Sequence, residues 1–113
     1  MWSVIGWYSQ RITGAALLIL LIAHFWVEHF MSRELLRGDL SYQVILGRIS
    51  NPVWQSIDIA FLLIALYHGL NGLRNIILDY SRIGVRTARV ITGGMVVAGC
   101  VCAWWGIEAF RNL

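Results

Sequence analysis

Residues 67–80 read YHGLNGLRNIILDY, and they close the second of three long apolar runs in the chain. At about 100° per residue on a helix, His68, Gly72, Asn75 and Asp79 fall on one stripe. That stripe carries an imidazole, a gap, an amide and a carboxylate. Leu66, Leu70, Leu73 and Ile77 supply the apolar remainder. Polar groups are costly at membrane depth, so each of these needs a partner or a task. The reading depends on the run being membrane-embedded, and the composition decides that.

The chain has 113 residues, 58% of them hydrophobic and 13% charged, with a mean hydropathy of +0.67. This lies outside the composition of soluble domains and indicates an integral membrane protein of one domain, residues 1–113. The net charge of +3 comes from nine basic residues, all arginine, with no lysine. They are scattered rather than gathered into a stripe, which speaks for membrane topology and against nucleic-acid binding. Cys100 and Cys102 point to opposite sides of a helix and are expected to be buried, inert thiols. The first apolar run is long enough to span and has no small-residue cleavage site after it, so a removable signal peptide is not expected.

Working outward, an all-α architecture with three transmembrane helices is expected over about residues 12–31, 52–79 and 89–110. Ahead of the first, MWSVIGWYSQ reads as an interfacial aromatic belt. His24, Glu28 and His29 interrupt the first span. The connector that follows holds Arg33, Glu34, Arg37, Asp39 and Arg48, with a short helix expected over Tyr42 to Ile49. Pro52 suits the first turn of the second helix, and Asp58 near its start complements the dipole. The third run is rich in small residues (Gly93, Gly94, Ala98, Gly99, Ala103), which permit close helix approach in lipid. The short, arginine-bearing second connector (Arg82, Arg86, Arg89) favours the cytoplasm. The chain is therefore expected to be a multi-pass protein of the cell inner (cytoplasmic) membrane with a cytoplasmic N-terminus.

His68 is the sharpest candidate for chemistry. A neutral imidazole in a membrane helix is a common axial ligand for haem iron. Ala65 and Gly72, one turn either side, would admit a flat ring against the backbone. The alternative is an imidazole hydrogen-bonded across helices, with the glycine serving close packing. His24 lies mid-span among bulkier neighbours and is either a ligand or the partner of Glu28. His29 sits nearer the interface, where solvation or a loop contact is expected. Arg11 and Arg74 could each grip a haem propionate or snorkel to headgroups. Asp79 and Tyr80 could hydrogen-bond a quinone carbonyl and supply a proton. The plainer alternative is an interface anchor pairing with Arg82 or Arg86. There is no glycine-rich phosphate loop, no Cys/His zinc spacing and no Ser-His-Asp set.

The order R-I-T-G at 11–14, His24, W-Q-x-x-D at 54–58 and H-G-x-N-G-L-R at 68–74, followed by Asp79-Tyr80, resembles a known family. It is similar to the small three-helix, SdhD-like membrane anchor subunit of succinate dehydrogenase (succinate:quinone oxidoreductase, respiratory complex II). The resemblance runs from Arg11 to about Arg82; the third helix matches only in kind. It implies a sister membrane anchor subunit, an iron–sulfur subunit and a flavoprotein subunit as partners, besides membrane lipids. It implies haem b ligated by His68, with His24 as ligand of a second haem in two-haem members. Arg11 would lie near the propionates, and Asp79 and Tyr80 would help form the quinone site. Succinate would be oxidised on another subunit and electrons would reach quinone beside Tyr80, within the respiratory chain and the tricarboxylic acid cycle. The competing expectations are a haem-free structural anchor of the same complex and a small proton-conducting subunit using His24, Glu28 and Asp79. No inverted repeat supports the second of these.

Overall fold

The computed structural model describes residues 3–27, 30, 37–38 and 41–113. The described residues form four helices: α1 (Val4–Trp26), α2 (Tyr42–Ile49), α3 (Pro52–Tyr80) and α4 (Val85–Arg111). No strand occurs among them. Helices α1, α3 and α4 are each long and apolar enough to cross a membrane, as expected.

The first span begins eight positions earlier than the apolar run suggests, at Val4 rather than Ile12. The Ser3 hydroxyl caps the helix by accepting from the Gly6 amide at 3.0 Å. Ser9, Gln10 and Arg11 are polar but compatible with a helix, so an apolar criterion finds the lipid-facing segment and misses the helix start. The aromatic belt is consequently helical. Arg11 lies over the Trp7 ring one turn back, 3.6 Å from its centroid. The expected end of this span, with Glu28, His29, Arg33, Glu34 and Asp39, lies outside the described residues.

α2 has the bounds expected for the connector helix. α3 starts at Pro52, with the Asn51 side chain accepting from Val53 N at 3.0 Å. Its 29 residues extend about 43 Å, more than the ~30 Å hydrocarbon core, so it tilts or projects beyond it. α4 also begins earlier than expected, at Val85, which moves Arg86 and Arg89 from the connector into its first two turns.

α3 is the middle of the arrangement. It packs against α1, α2 and α4 in a slab of 55 × 27 × 20 Å. No apolar side chain of the described residues is buried, and Asn75, at 6% exposure, is the single buried polar one. Helix association in lipid relies on close packing and polar contacts rather than on hydrophobic burial, and the α3–α4 seam has the first of these. A Cβ added at Gly99 would stand 2.8 Å from Leu70 Cδ1, and one at Gly106 would overlap Leu62. These two glycines are seven apart, two helical turns, and so share a face. Of the small residues singled out in the sequence, Gly93 and Gly94 face open space instead. Gln55 Nε2 closes the far end of the seam by donating to the Phe110 carbonyl at 2.8 Å, one of the carbonyls a helix end leaves unpaired. Cys100 and Cys102 are unpaired and exposed on α4, not buried: thiols on opposite sides of a helix that packs chiefly against α3 cannot both be covered.

Gly106→Val should be the most damaging of the α4 glycine substitutions, because Leu62 has to move. A loss of about 1–3 kcal/mol in helix association is expected, measured by denaturant titration of the purified complex, with Gly93→Val near wild type.

Candidate functional site

The α1–α3 seam carries the polar chemistry. Its centre is His68, half-buried against α1. His68 Nδ1 lies 3.1 Å from Thr13 Oγ1, and a Cβ on Gly14 would stand 3.1 Å from His68 Cε1. Gly14 therefore lets the imidazole lie against the α1 backbone while Thr13 holds its edge. One turn along α3, Gln10 reaches across. Its Nε2 donates to the His68 carbonyl at 3.1 Å, and its Oε1 accepts from Asn71 Nδ2 at 2.7 Å. The same amide fills the notch at Gly72, where a Cβ would come within 2.9 Å of Gln10 Nε2. Ser9 Oγ and Tyr67 Oη meet at 2.8 Å and extend the row outward.

Two expectations change here. The space at Gly72, read from the spacing as room for a flat ring, is filled by the Gln10 side chain. Gly69 is the neighbour with open space, with nothing within 4 Å of an added Cβ. Gln10, which the sequence reading passed over as part of the aromatic belt, is the central partner of the HGLNG motif. Its four-residue spacing from Gly14, on one helix face, was the available signal.

His24 faces α3 at a second level. Its Nδ1 lies 3.4 Å from Asp58 Oδ1, and Arg48 of α2 lies 3.7 Å from Asp58 Oδ2. The Phe61 ring stacks on the imidazole with centroids 5.9 Å apart. Asp58 thus does more than complement the α3 dipole: it joins α1, α2 and α3. The expected alternative partner, Glu28, lies outside the described residues. Asp58 and His68 are ten residues apart on α3, about 15 Å along the axis, so the two histidines occupy separate levels of one seam. Among the described residues no three His, Cys, Asp or Glu side chains converge on a metal position.

The arginines sit elsewhere. Arg11 is exposed over Trp7. Arg74 turns to α4, donating to Thr92 Oγ1 at 2.8 Å and to Asn75 Oδ1 at 3.3 Å. It lines a groove of about 480 Å³ between α3 and α4 whose wall includes Tyr67, Asn71 and Thr92 but not His68. Asp79 and Tyr80 end α3 and are exposed, Tyr80 at 88%.

The donors fit a single axial ligation. His68 Nδ1 is engaged by Thr13, Nε2 has no hydrogen-bond partner among the described residues, and it is not a sealed, unsatisfied atom. Metal-binding imidazoles typically have one nitrogen held by a hydrogen bond and the other bare.

Three membrane-length helices, with no apolar side chain buried among the described residues and with polar side chains tying α1 and α4 to α3, define an integral membrane protein. Residues 2–106 match the family of succinate dehydrogenase/fumarate reductase transmembrane subunits, and the chain belongs to that family. It is 29% identical over 103 residues to a succinate dehydrogenase hydrophobic membrane anchor subunit of Archaeoglobus fulgidus, covering 91% of this chain and 84% of that one. The like-named subunit of Thermoplasma acidophilum is 31% identical over 74 residues, covering 66% of this chain and 58% of that one. Succinate dehydrogenase 2 membrane subunit SdhC of Mycobacterium tuberculosis is 31% identical over 120 aligned positions, covering 98% and 82%. The chain is thus a membrane anchor subunit of a succinate dehydrogenase/fumarate reductase, and it works with the other subunits of that oxidoreductase.

Gln10→Ala and Asn71→Ala should each weaken the α1–α3 seam, with a coupling energy of about 0.6–2 kcal/mol between them in a double-mutant cycle. Denaturant titration of the complex in detergent measures it.

Proposed function

We propose that this subunit ligates haem b through His68 and helps to build the quinone site at the Asp79–Tyr80 end of α3. The observation that carries the reading is the state of His68, whose Nδ1 is held by Thr13 while Nε2 is left without a partner. The chain offers His68 as its ligand at that level, and a further ligand would be supplied by the sister anchor subunit. Bound haem supplies a one-electron carrier, tuned by its ligands and apolar surroundings.

His24, oriented by Asp58 at 3.4 Å, is the matching ligand for a second haem at the other level of the seam. Arg11 is the guanidinium free to turn from an aromatic ring to a propionate, and Arg74 is the second such candidate, at the price of its bond to Thr92.

At the end of α3 the exposed phenol of Tyr80 donates a hydrogen bond to a quinone carbonyl. Asp79 holds and passes a proton to the reduced oxygen. Reduction to quinol takes two electrons and two protons. The electrons arrive from the iron–sulfur subunit, fed by succinate oxidation on the flavoprotein subunit, and the protons come from the aqueous side. In this reading Asp79, Tyr80 and the N-terminus lie at the cytoplasmic face of the inner membrane, a side favoured by the arginines of the second connector and of the start of α4. This chain does not itself oxidise succinate.

Haem b per complex, determined as pyridine haemochrome on material purified with its partners, tests the reading. Wild type is expected to hold two, His68→Ala one and His24→Ala one. A wild type with one haem, lost only in His68→Ala, returns His24 to a packing role. A wild type without haem ends the haem proposal. Tyr80→Phe should leave haem content unchanged and lower quinone reduction by about 10²-fold or more, the usual worth of one positioned hydrogen-bond donor to an oxygen that gains charge.

A further inference from the structure

Thr13 stands beside His68 with its own hydrogen already committed. A threonine hydroxyl has one hydrogen to donate and two lone pairs. Thr13 Oγ1 lies 2.6 Å from the Ser9 carbonyl and 3.2 Å from the Gln10 carbonyl, and both of these can only accept. The hydroxyl hydrogen therefore points down α1, with Ser9 as its main partner. What Thr13 presents to His68 Nδ1, at 3.1 Å, is a lone pair, so the contact forms only if Nδ1 carries the proton. The opposite tautomer would need the hydroxyl hydrogen withdrawn from the short bond to Ser9. Gly14 enforces the position, because a side chain there would meet His68 Cε1 at 3.1 Å.

We propose that Thr13 is the positioning residue of His68: it fixes the tautomer in which Nδ1 is protonated and Nε2 is the bare, iron-binding nitrogen. The inference rests on the proposed ligation by His68 and adds the means by which the chain prepares that ligand before the iron arrives. A hydrogen bond donated from Nδ1 also makes the imidazole a stronger electron donor, which favours the oxidised iron and keeps the midpoint potential low. Loss of such a partner typically weakens metal binding 10–100-fold.

The test is a series in the whole complex purified with its partner subunits: Thr13→Ser, Thr13→Cys and Thr13→Val. It reads haem b per complex, haem midpoint potential by optical redox titration, and the low-spin haem electron paramagnetic resonance spectrum. Serine keeps the hydroxyl and loses the methyl; valine keeps the shape and loses the hydroxyl; cysteine loses the methyl as serine does and puts a larger, weak acceptor in place of the hydroxyl. Expected is a wild-type potential and spectrum in serine, an upward shift in cysteine and a larger one in valine, with about tenfold or greater loss of haem in valine. A packing role predicts the reverse order, with valine closest to wild type and serine furthest, and that order would overturn the proposal. Unchanged potentials throughout would also overturn it. Should the valine variant not assemble, the cysteine variant against serine carries the same comparison. His68→Ala separates the two layers of the argument: if it keeps its full haem, the ligation reading fails. If it loses haem while the Thr13 series is flat, only the positioning role fails.

Discussion

The arrangement of this chain follows from one constraint: polar side chains on α3 must be satisfied inside a low-dielectric layer that offers no water. Asp58, His68, Asn71 and Arg74 all sit on the same helix, and each is answered by a neighbour. Asp58 is met by His24 and Arg48, His68 by Thr13, Asn71 by Gln10, and Arg74 by Thr92. Each such contact contributes only about 0.6–2 kcal/mol in a membrane. Their value lies in direction, since every one ties α3 to a particular point on α1, α2 or α4.

The two seams of α3 are built differently. Against α4 the chain uses absence of side chain: Gly99 and Gly106 admit Leu70 and Leu62 to the helix backbone. Against α1 it uses glycine and amide together, with Gly14 receiving an imidazole and Gly72 receiving a glutamine. The first kind of seam is shape in its middle, with Arg74–Thr92 and Gln55–Phe110 as its hydrogen bonds. The second sets its hydrogen bonds beside the glycines themselves, and it is the one that holds His24 and His68.

Much of this was legible. Composition and run length revealed three spans, and Pro52 marked the start of α3 because a missing N–H costs nothing there. The motifs behind the family resemblance turn out to be the two faces of one contact: R-I-T-G supplies Thr13 and Gly14, and H-G-x-N-G supplies the imidazole, the amide and the notch. What a single sequence did not disclose is which residue fills which gap. A glycine advertises space without naming its occupant, so Gly72 read as room for a flat ring while Gln10 takes it. Asp58 read as a dipole partner because its cross-helix neighbours, 34 positions earlier for His24 and ten for Arg48, are not periodic with it. Hydropathy misplaced the starts of α1 and α4 because Ser9, Gln10, Arg86 and Arg89 are helical without being apolar.

The Gln10 side chain seated in the Gly72 notch has a mechanical consequence. Moving α1 by one turn, about 5.4 Å, toward the end of α3 would bring Gln10 against Asn75 and Ile76, which bear a Cβ, and carry the Thr13 hydroxyl away from His68. Helix registration and the protonation pattern of that imidazole therefore form a single variable. The joint behaves as an indexed gear rather than a slip joint: it admits rocking about the notch but not gradual travel, and any displacement large enough to matter would be registered at the histidine as a discrete step.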